Sequence, residues 1–416
     1  MEHLPHIQKL LDLKDLRFLK NIGALAYKSG IDLFLVGGCV RDAFLKTPIK
    51  DFDIVANAPL DQIIGIFTNS SAAEMISRSQ FETAKLRYQG GQFFDLAVTR
   101  EEIYEQPGSL PTITRSSIEE DLWRRDFSIN AIGINLNPIS FGQVIDPTGG
   151  RKDLISRTIR VLHRDSFKDD STRILRGIRY ATRLKFKFER TTFNLLQEGR
   201  QYFKSISGSR LHNEIEKISN EENVVNCLKR AHKLGVLRSI DPAFGHPDIL
   251  KSICALRKVP ITVTQILAML TYECSDRETT ALIRRLNLAS SEQKAIVDSN
   301  KLRVLEDTLA EKPLSPSLIY KALNNMSVES LLASCFLAKI RLVRQRIRRF
   351  LMVWRHVKPL LNGTEIMQLG VPSGPMVGEI LSALLLKLID RQIISKKAQE
   401  TYVRYLIESP TTKFIS

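Results

Sequence analysis

The sequence predicts an α/β head followed by a long α-helical body, and three observations carry that prediction. Between Ile31 and about Asp165, short β-type apolar runs alternate with helical stretches. Beyond Asp165, almost every segment places its apolar residues at helical spacing. Hydrophobic residues make up 43% of 416, enough to build a sizeable core in two or three domains and to exclude disorder over most of the chain. Lys and Arg number 61 against 45 Asp and Glu, a formal charge of +16 that suits a polyanionic partner. Five cysteines stand singly at Cys39, Cys227, Cys254, Cys274 and Cys335. That excludes a disulfide scaffold or Cys-rich zinc site and fits a reducing compartment. No apolar run approaches the ~18 residues of a membrane span, and MEHLPHIQKL, with Glu2, does not read as a secretory signal. A cytoplasmic protein without membrane association is expected.

Taken in order, residues 1–30 form an N-terminal helical extension, with Leu10, Leu13, Leu16, Phe18 and Leu19 near helical spacing. The head spans 31–165. Leu33 to Val36 is an apolar strand ending in Gly37-Gly38, and a helix restarts over Val40 to Leu45. Phe52 to Val55 is a strand, and Leu60 to Phe67 a helix. Ala84 to Tyr88 and Gln92 to Thr99 form a hairpin turned at Gly90-Gly91. Pro107, Gly108, Ser109 and Pro111 make 100–119 a mobile loop. A neck follows over 166–220, its first helix running from about Phe167 to Lys185 with Ile174, Ile178, Ala181 and Leu184 on one face. Residues 221–416 form a helical body and tail, interrupted by a Gly/Pro-rich stretch from Gly363 to Gly378.

The most informative stretch is LVGGCVRDAFLKTPIKDFDIV, residues 35–55. Asp51 and Asp53 are two apart at a strand start and project from the same face. Side-by-side carboxylates repel unless a cation sits between them, and a hard divalent ion such as Mg²⁺ suits them. Asp95, in the apolar strand FFDLAVT, meets the pair if its strand lies beside theirs. Three such carboxylates would hold two metal ions, one activating an attacking hydroxyl and one neutralising a triphosphate. At Gly37-Gly38 the missing Cβ atoms let backbone N–H groups approach phosphate oxygens.

These motifs resemble the bacterial-type (class II) family of CCA-adding tRNA nucleotidyltransferases and poly(A) polymerases, within the polymerase-beta-like superfamily. Beyond 35–55, the blocks are DLWRRDFSINAIG (121–133), DPTGGRKDL (146–154), DDSTRILRGIRYATRLKF (169–186) and GSRLHNEIEKI (208–218). The tail stretch NGTEIMQLGVPSGPMVGEIL (362–381) also matches many members. The resemblance implies a polymerase-beta-like nucleotidyltransferase fold, a mixed sheet with helices, ahead of an elongated all-α neck, body and tail. It implies Mg²⁺-dependent, two-metal transfer of CMP and AMP from CTP and ATP to the 3′ end of tRNA. It assigns catalysis to Asp51, Asp53 and Asp95, metal to Asp51 and Asp53, triphosphate to Gly37, Gly38 and Arg41, and ribose to Arg125 and Asp126.

Base selection falls by the same resemblance to Asp170, Arg173 and Arg176. Read on one helix, Asp170 and Arg173 are i, i+3 and present an acceptor beside a donor. Cytosine and adenine each show an amino donor next to a ring-nitrogen acceptor, which that pair matches, whereas uracil and guanine reverse the order. The plain alternatives are an intrahelical salt bridge here and an Arg125–Asp126 ion pair bracing a helix start. Arg179 and Arg183 read as a solvated or RNA-facing stripe, and Arg210 with Glu214 as a brace between neck helices. Seven basic residues lie between Lys339 and Arg355 without an acidic interruption, and Arg341, Arg344, Arg348 and Arg349 are the candidate RNA contacts. In full CCA-adding relatives the 100–119 region is a flexible loop often rich in bases, yet EQPGSLPTIT has none. Alternatives therefore stay open: CC-adding or A-adding activity, poly(A) synthesis, or an RNA-binding protein with an inactive transferase head. No obligate protein partner is implied.

Overall fold

The computed structural model describes residues 10–408, apart from 50, 80, 81 and 260; the first nine residues of the expected N-terminal extension lie outside them. The chain divides into two compact units between Ile240 and Asp241.

In the first unit, α1 (Leu13–Tyr27) starts where the Asp12 carboxylate accepts the Asp15 N–H at 2.8 Å. It buries Phe18, Leu19, Ile22 and Ala26, with the Phe18 ring 5.0–5.4 Å from those of Phe52, Tyr88 and Phe94. Burying one such ring stabilises the head by roughly 1.5–3 kcal/mol. Then come β1 (Leu33–Val36), α2 (Gly38–Phe44), β2 (Phe52–Ala56), α3 (Leu60–Asn69), β3 (Ala73–Ser79), β4 (Thr83–Tyr88) and β5 (Phe93–Val98). After a gap come β6 (Arg100–Ile103), β7 (Thr112–Arg115), α4 (Ile118–Trp123), β8 (Gly133–Asn135), β9 (Val144–Ile145) and α5 (Gly150–Ile155). Among the described residues the main sheet is seven-stranded, in the order β3-β4-β5-β2-β1-β8-β9. It is mixed: β2 and β5 run parallel, and their neighbours pair antiparallel.

Two expectations fail here. The 100–119 segment is no open loop, because β6 and β7 pair in register from Arg100↔Arg115 to Ile103↔Thr112. Its tip is tied to the neck: the Gly108 N–H donates to Asp169 O at 3.1 Å, and Gly108 O accepts Arg210 Nη1 at 2.8 Å. The neck helix predicted from 167 to 185 is also broken. It divides into α6 (Ser166–Asp169) and α7 (Thr172–Arg183), with Asp170 in extended backbone at φ −144° between them. Short sequences such as DDST allow this, since an Asp side chain competes for the N–H groups that open a helix. Ile174, Ile178 and Ala181 are buried as the helical spacing required.

Among the described residues, every regular element of the second unit is a helix. Its helix Arg341–Met352 buries Val343, Ile347 and Phe350 at i, i+4 and i+7. Within the stretch read as an interruption, Gly363–Gln368 forms a helix capped reciprocally by Asn362 and Glu365. Among the described residues, no helix is long and apolar enough to cross a membrane.

Candidate active site

β1 delivers the chain into Gly37, whose φ of +80° is strained for any residue but glycine. A Cβ there would lie 2.9 Å from Arg125 Nη1 and 3.4 Å from Asp53 Oδ2, so the bare backbone leaves space that a side chain would fill. Asp53 sits on β2 directly beside Asp95 on β5, and Asp95 in turn faces Lys85 on β4. Lys85 Nζ lies 3.8 Å from Asp51 Oδ1 and 3.7 Å from Asp95 Oδ1, a cation already drawn between the two carboxylates. Burial raises the Asp53 pKa, Asp95 and Asp51 add to the rise, and Arg125 and Arg41 oppose it.

A cavity of about 350 Å³ opens beside this row. Of the residues singled out in the sequence, its lining brings together Gly37, Gly38, Arg41, Asp53, Arg125, Asp126, Asp170, Arg173 and Arg176. Asp51 and Asp95 do not line it; they are half exposed and grouped by Lys85, and Asp51 and Lys85 line a separate cleft. Glu102, Tyr104, Arg124, Asn130, Thr172 and Tyr180 complete the wall, and sequence reasoning named none of them for the site.

Most of the charged side chains of this wall are braced by neighbours. Arg125 pairs with Asp121 (Nη2 to Oδ2, 2.8 Å), not with Asp126. Burial would raise the Asp121 pKa, but Arg125 and Arg124 hold its carboxyl below the usual range. Asp126 accepts from Phe127 N at 2.8 Å, Asn130 Nδ2 at 3.0 Å and Arg176 Nε at 2.8 Å. Those partners overcome its burial and lower its pKa as well. Arg41, 3% exposed, donates through Nη1 to Asn130 Oδ1 at 2.6 Å. From the hairpin, the Tyr104 hydroxyl donates to Glu102 Oε2 at 3.0 Å; burial, with Glu102 beside it, pushes that phenol up to about 12.

The base-selecting pair differs from its expected geometry. Asp170 precedes α7, and its Oδ1 accepts the Thr172 N–H (2.9 Å), the Thr172 hydroxyl (2.6 Å) and Arg210 Nη2 (2.8 Å). Arg173 is not its salt-bridge partner. The Arg173 guanidinium is buried and held by Ser166 Oγ (2.7 Å) and Arg124 O (3.0 Å). The two groups still share the cavity, oriented by different elements. Arg210 and Glu214 do brace the neck as expected, each through its own partner. Glu214 binds Arg179 and Lys217, and Arg179, far from solvated, is 12% exposed between Glu214 and Glu221.

Among the described residues, no three His, Cys, Asp or Glu side chains are arranged to enclose a metal ion by themselves. The donors nevertheless fit a divalent cation whose shell a ligand completes: hard carboxylate oxygens on neighbouring strands, close enough for one ammonium group to lie between Asp51 and Asp95.

The basic run of the second unit is divided. Arg344 donates to Ala338 O and Lys339 O, and Arg346 to Leu309 O and Glu311 O, so both stitch backbone. Arg341 and Arg348 join Lys251 and Arg344 around a separate cleft of about 590 Å³, and Arg349 is exposed outside its lining.

Residues 33–160 match the poly(A) polymerase head domain, and 185–245 match a probable RNA- and SrmB-binding site of polymerase A. An A-adding tRNA nucleotidyltransferase of Geobacter sulfurreducens is 32% identical over 88% of this chain and 44% of its own length. One from Halalkalibacterium halodurans is 36% identical over 56% and 58%. The chain thus spans about half the length of these curated relatives. A solved CCA-adding enzyme without ligand is 27% identical, with a TM-score of 0.81 covering 97% of this chain and 99% of that one. With the mixed sheet and ordered motifs, these likenesses place residues 33–160 in the poly(A) polymerase head family and give the chain the fold of CCA-adding enzymes.

Proposed function

We propose that this protein adds CMP and AMP, without a template, to the 3′ end of tRNA. The observation that carries this reading is the convergence in one cavity of a glycine-opened cradle, two carboxylates (the partly buried Asp53 and the buried Asp126) and the Asp170/Arg173 pair. Their chemistry suits triphosphate, metal, ribose and base. The Thermotoga maritima CCA-adding enzyme, solved with tRNA, shares the fold at a TM-score of 0.77 and 27% identity.

Gly37 and Gly38 leave their backbone open to the triphosphate, and Arg41 supplies charge beside it. Asp126, held ionised, accepts from the 2′ hydroxyl and so favours ribonucleotides. Asp170 accepts from the amino group of cytosine or adenine while Arg173 donates to the adjacent ring nitrogen. Asp51 and Asp53, with Asp95 at the third acidic position, would hold Mg²⁺, which when bound supplies Lewis-acid activation of the primer hydroxyl and neutralises phosphate charge. The 3′ oxygen bonds to the α-phosphorus as the bond to pyrophosphate breaks. The cavity lining contains no histidine for a general-base role, which suits a metal-assisted nucleophile. A cytoplasmic location accords with this work.

A-adding activity is the second reading, favoured by the A-adding relatives and by the base-free hairpin tip. A tRNA ending at its discriminator base, given CTP and ATP together, distinguishes the readings. Extension by three residues is expected; a stop after two indicates CC addition. No extension there, with one A added to a primer already ending in CC, replaces the three-residue reading with A addition.

Lys251, Arg341 and Arg348 carry no acidic partner among the described residues and line their cleft together, as phosphate contacts would. Replacing all three by Ala is expected to lower tRNA affinity and reduce the slope of log affinity against log salt by about one per residue. An unchanged slope would assign the cleft to ordinary solvated surface.

A further inference from the structure

The carboxylate given above to the ribose is held by a closed ring of side chains. Asp126 Oδ2 takes Arg176 Nε at 2.8 Å, and its Oδ1 takes Asn130 Nδ2 at 3.0 Å. Asn130 Oδ1 in turn takes Arg41 Nη1 at 2.6 Å. Both guanidinium groups then meet one aromatic ring. Arg41 Cζ lies 5.3 Å and Arg176 Cζ 5.9 Å from the Tyr180 centroid, and Arg176 Nη2 donates to the Tyr180 hydroxyl at 3.3 Å.

Arg176 reaches the carboxylate directly and Arg41, whose Nε and Nη2 also meet Asp42 Oδ1 at 2.8 Å, reaches it through Asn130. Two cations drawn to one aromatic ring repel each other, and the negative face of that ring offsets the repulsion while fixing where each lies. Tyr180 is well placed to do so because its own ring is fixed. Phe127 meets it edge-on at 5.9 Å and 89°, and Arg179 and Arg183 lie 5.9 and 5.3 Å from its centroid. Arg179 is itself anchored by Glu214 and Glu221. The ring reaches the cavity wall, so any shift in it passes through two guanidinium groups to Asp126.

We propose that Tyr180 is the positioning residue for sugar selection: its ring fixes Arg41 and Arg176, and through them and Asn130 it sets the orientation of Asp126 toward the ribose 2′ hydroxyl. The proposal rests on the nucleotidyl-transfer reading and adds to it a residue that touches neither base nor metal ligand.

The test measures incorporation of CTP, dCTP and UTP into a tRNA primer by wild type, Tyr180→Phe and Tyr180→Leu, with melting curves for each. Tyr180→Phe keeps the ring face and should retain the wild-type preference for CTP over dCTP. Tyr180→Leu loses the face; a shift of about an ångström at Asp126 should cut that preference about tenfold. Arg176 is taken up by Asp126 and not by the base-selecting pair, so the preference for CTP over UTP, set by Asp170 and Arg173, should stay unchanged, which a general loss of structure would not allow. If Tyr180→Leu does not fold, Tyr180→Met fills similar space without a π face and is expected to behave as Tyr180→Leu would. Sugar preference unchanged in the aliphatic variant, or sugar and base preference falling together, would overturn the proposal. A wild type that discriminates base but not sugar overturns it too. A wild type that transfers neither CMP nor AMP to any tRNA primer overturns the functional reading itself.

Discussion

Asp53→Asn is expected to lower nucleotidyl transfer by about 10³-fold, since metal assistance is worth several kcal/mol and each ~1.4 kcal/mol is tenfold in rate. Affinity for tRNA should not change, because no phosphate contact is removed. The same side chain gives a second readout that needs no turnover. Its folded-state pKa is raised above 3.8, first by burial and then by Asp95 and Asp51. A raised carboxylate pKa means that the fold favours the protonated form more than the unfolded chain does. The stability it contributes is complete below the unfolded value near 3.8 and is lost as pH rises through the folded value. Near neutral pH the charged form is therefore a strain that a divalent cation relieves. Mg²⁺ should raise the melting temperature of the wild type near neutral pH and much less at acid pH. Asp53→Asn, without Mg²⁺, should melt no lower than wild type and should gain less from Mg²⁺. Equal Mg²⁺ stabilisation of both proteins would remove Asp53 from the metal site.

Much of the head was legible in the sequence because its signals are local. Leu33–Val36, Phe52–Ala56 and the Gly90-Gly91 hairpin are apolar runs bounded by turn residues, and each lies within a residue or two of its expected place. The pairing of Asp53 with Asp95 needed only β5 to lie beside β2, as it does. The 104–111 segment misled because Pro and Gly mark a turn without revealing what holds it. What holds it is distant in sequence, the Arg210 guanidinium on Gly108 O across 102 positions.

Charge pairing was the least legible property. Spacing of i, i+3 offered an Asp170–Arg173 bridge and marked Arg210 and Glu214 as braces of the neck without naming their partners; the fold pairs Asp170 with Arg210 and Glu214 with Arg179. Such spacing counts only when both residues lie on one continuous helix, and Asp170 lies outside α7. Lys85, Asn130 and Tyr180 went unseen for a related reason. Nothing in KLRY, SIN or RYAT marks a residue whose role comes from neighbours on other strands and helices. The available signal was the strand alternation that puts Lys85 on the same face of β4 as Asp95 on β5.

Asp170→Ala is expected to lower the preference for CTP and ATP over UTP and GTP by about 10- to 100-fold, since an unpaired buried polar group costs ~1–3 kcal/mol. Only Oδ1 of this carboxylate is engaged by the protein, so among the described residues Oδ2 is left for an amino group of the base. The loss should appear with every correct base, and incorporation of CTP and ATP should slow as well. Arg210→Met tests how the carboxylate is held without removing it. Asp170 then keeps its two Thr172 bonds but loses the guanidinium at 2.8 Å, while Gly108 O loses its anchor. Discrimination should fall by less than in Asp170→Ala, and the hairpin tip should exchange its amide protons faster. Arg173→Lys keeps the charge but cannot hold Ser166 Oγ and Arg124 O while also presenting a donor to the base, so it should resemble Asp170→Ala. Parallel kinetics with all four nucleotides decide the matter. If Asp170→Ala slows them equally and the CTP and ATP preference survives, the cavity selects its base by other groups, with Tyr104 and Glu102 of the hairpin wall the next to test.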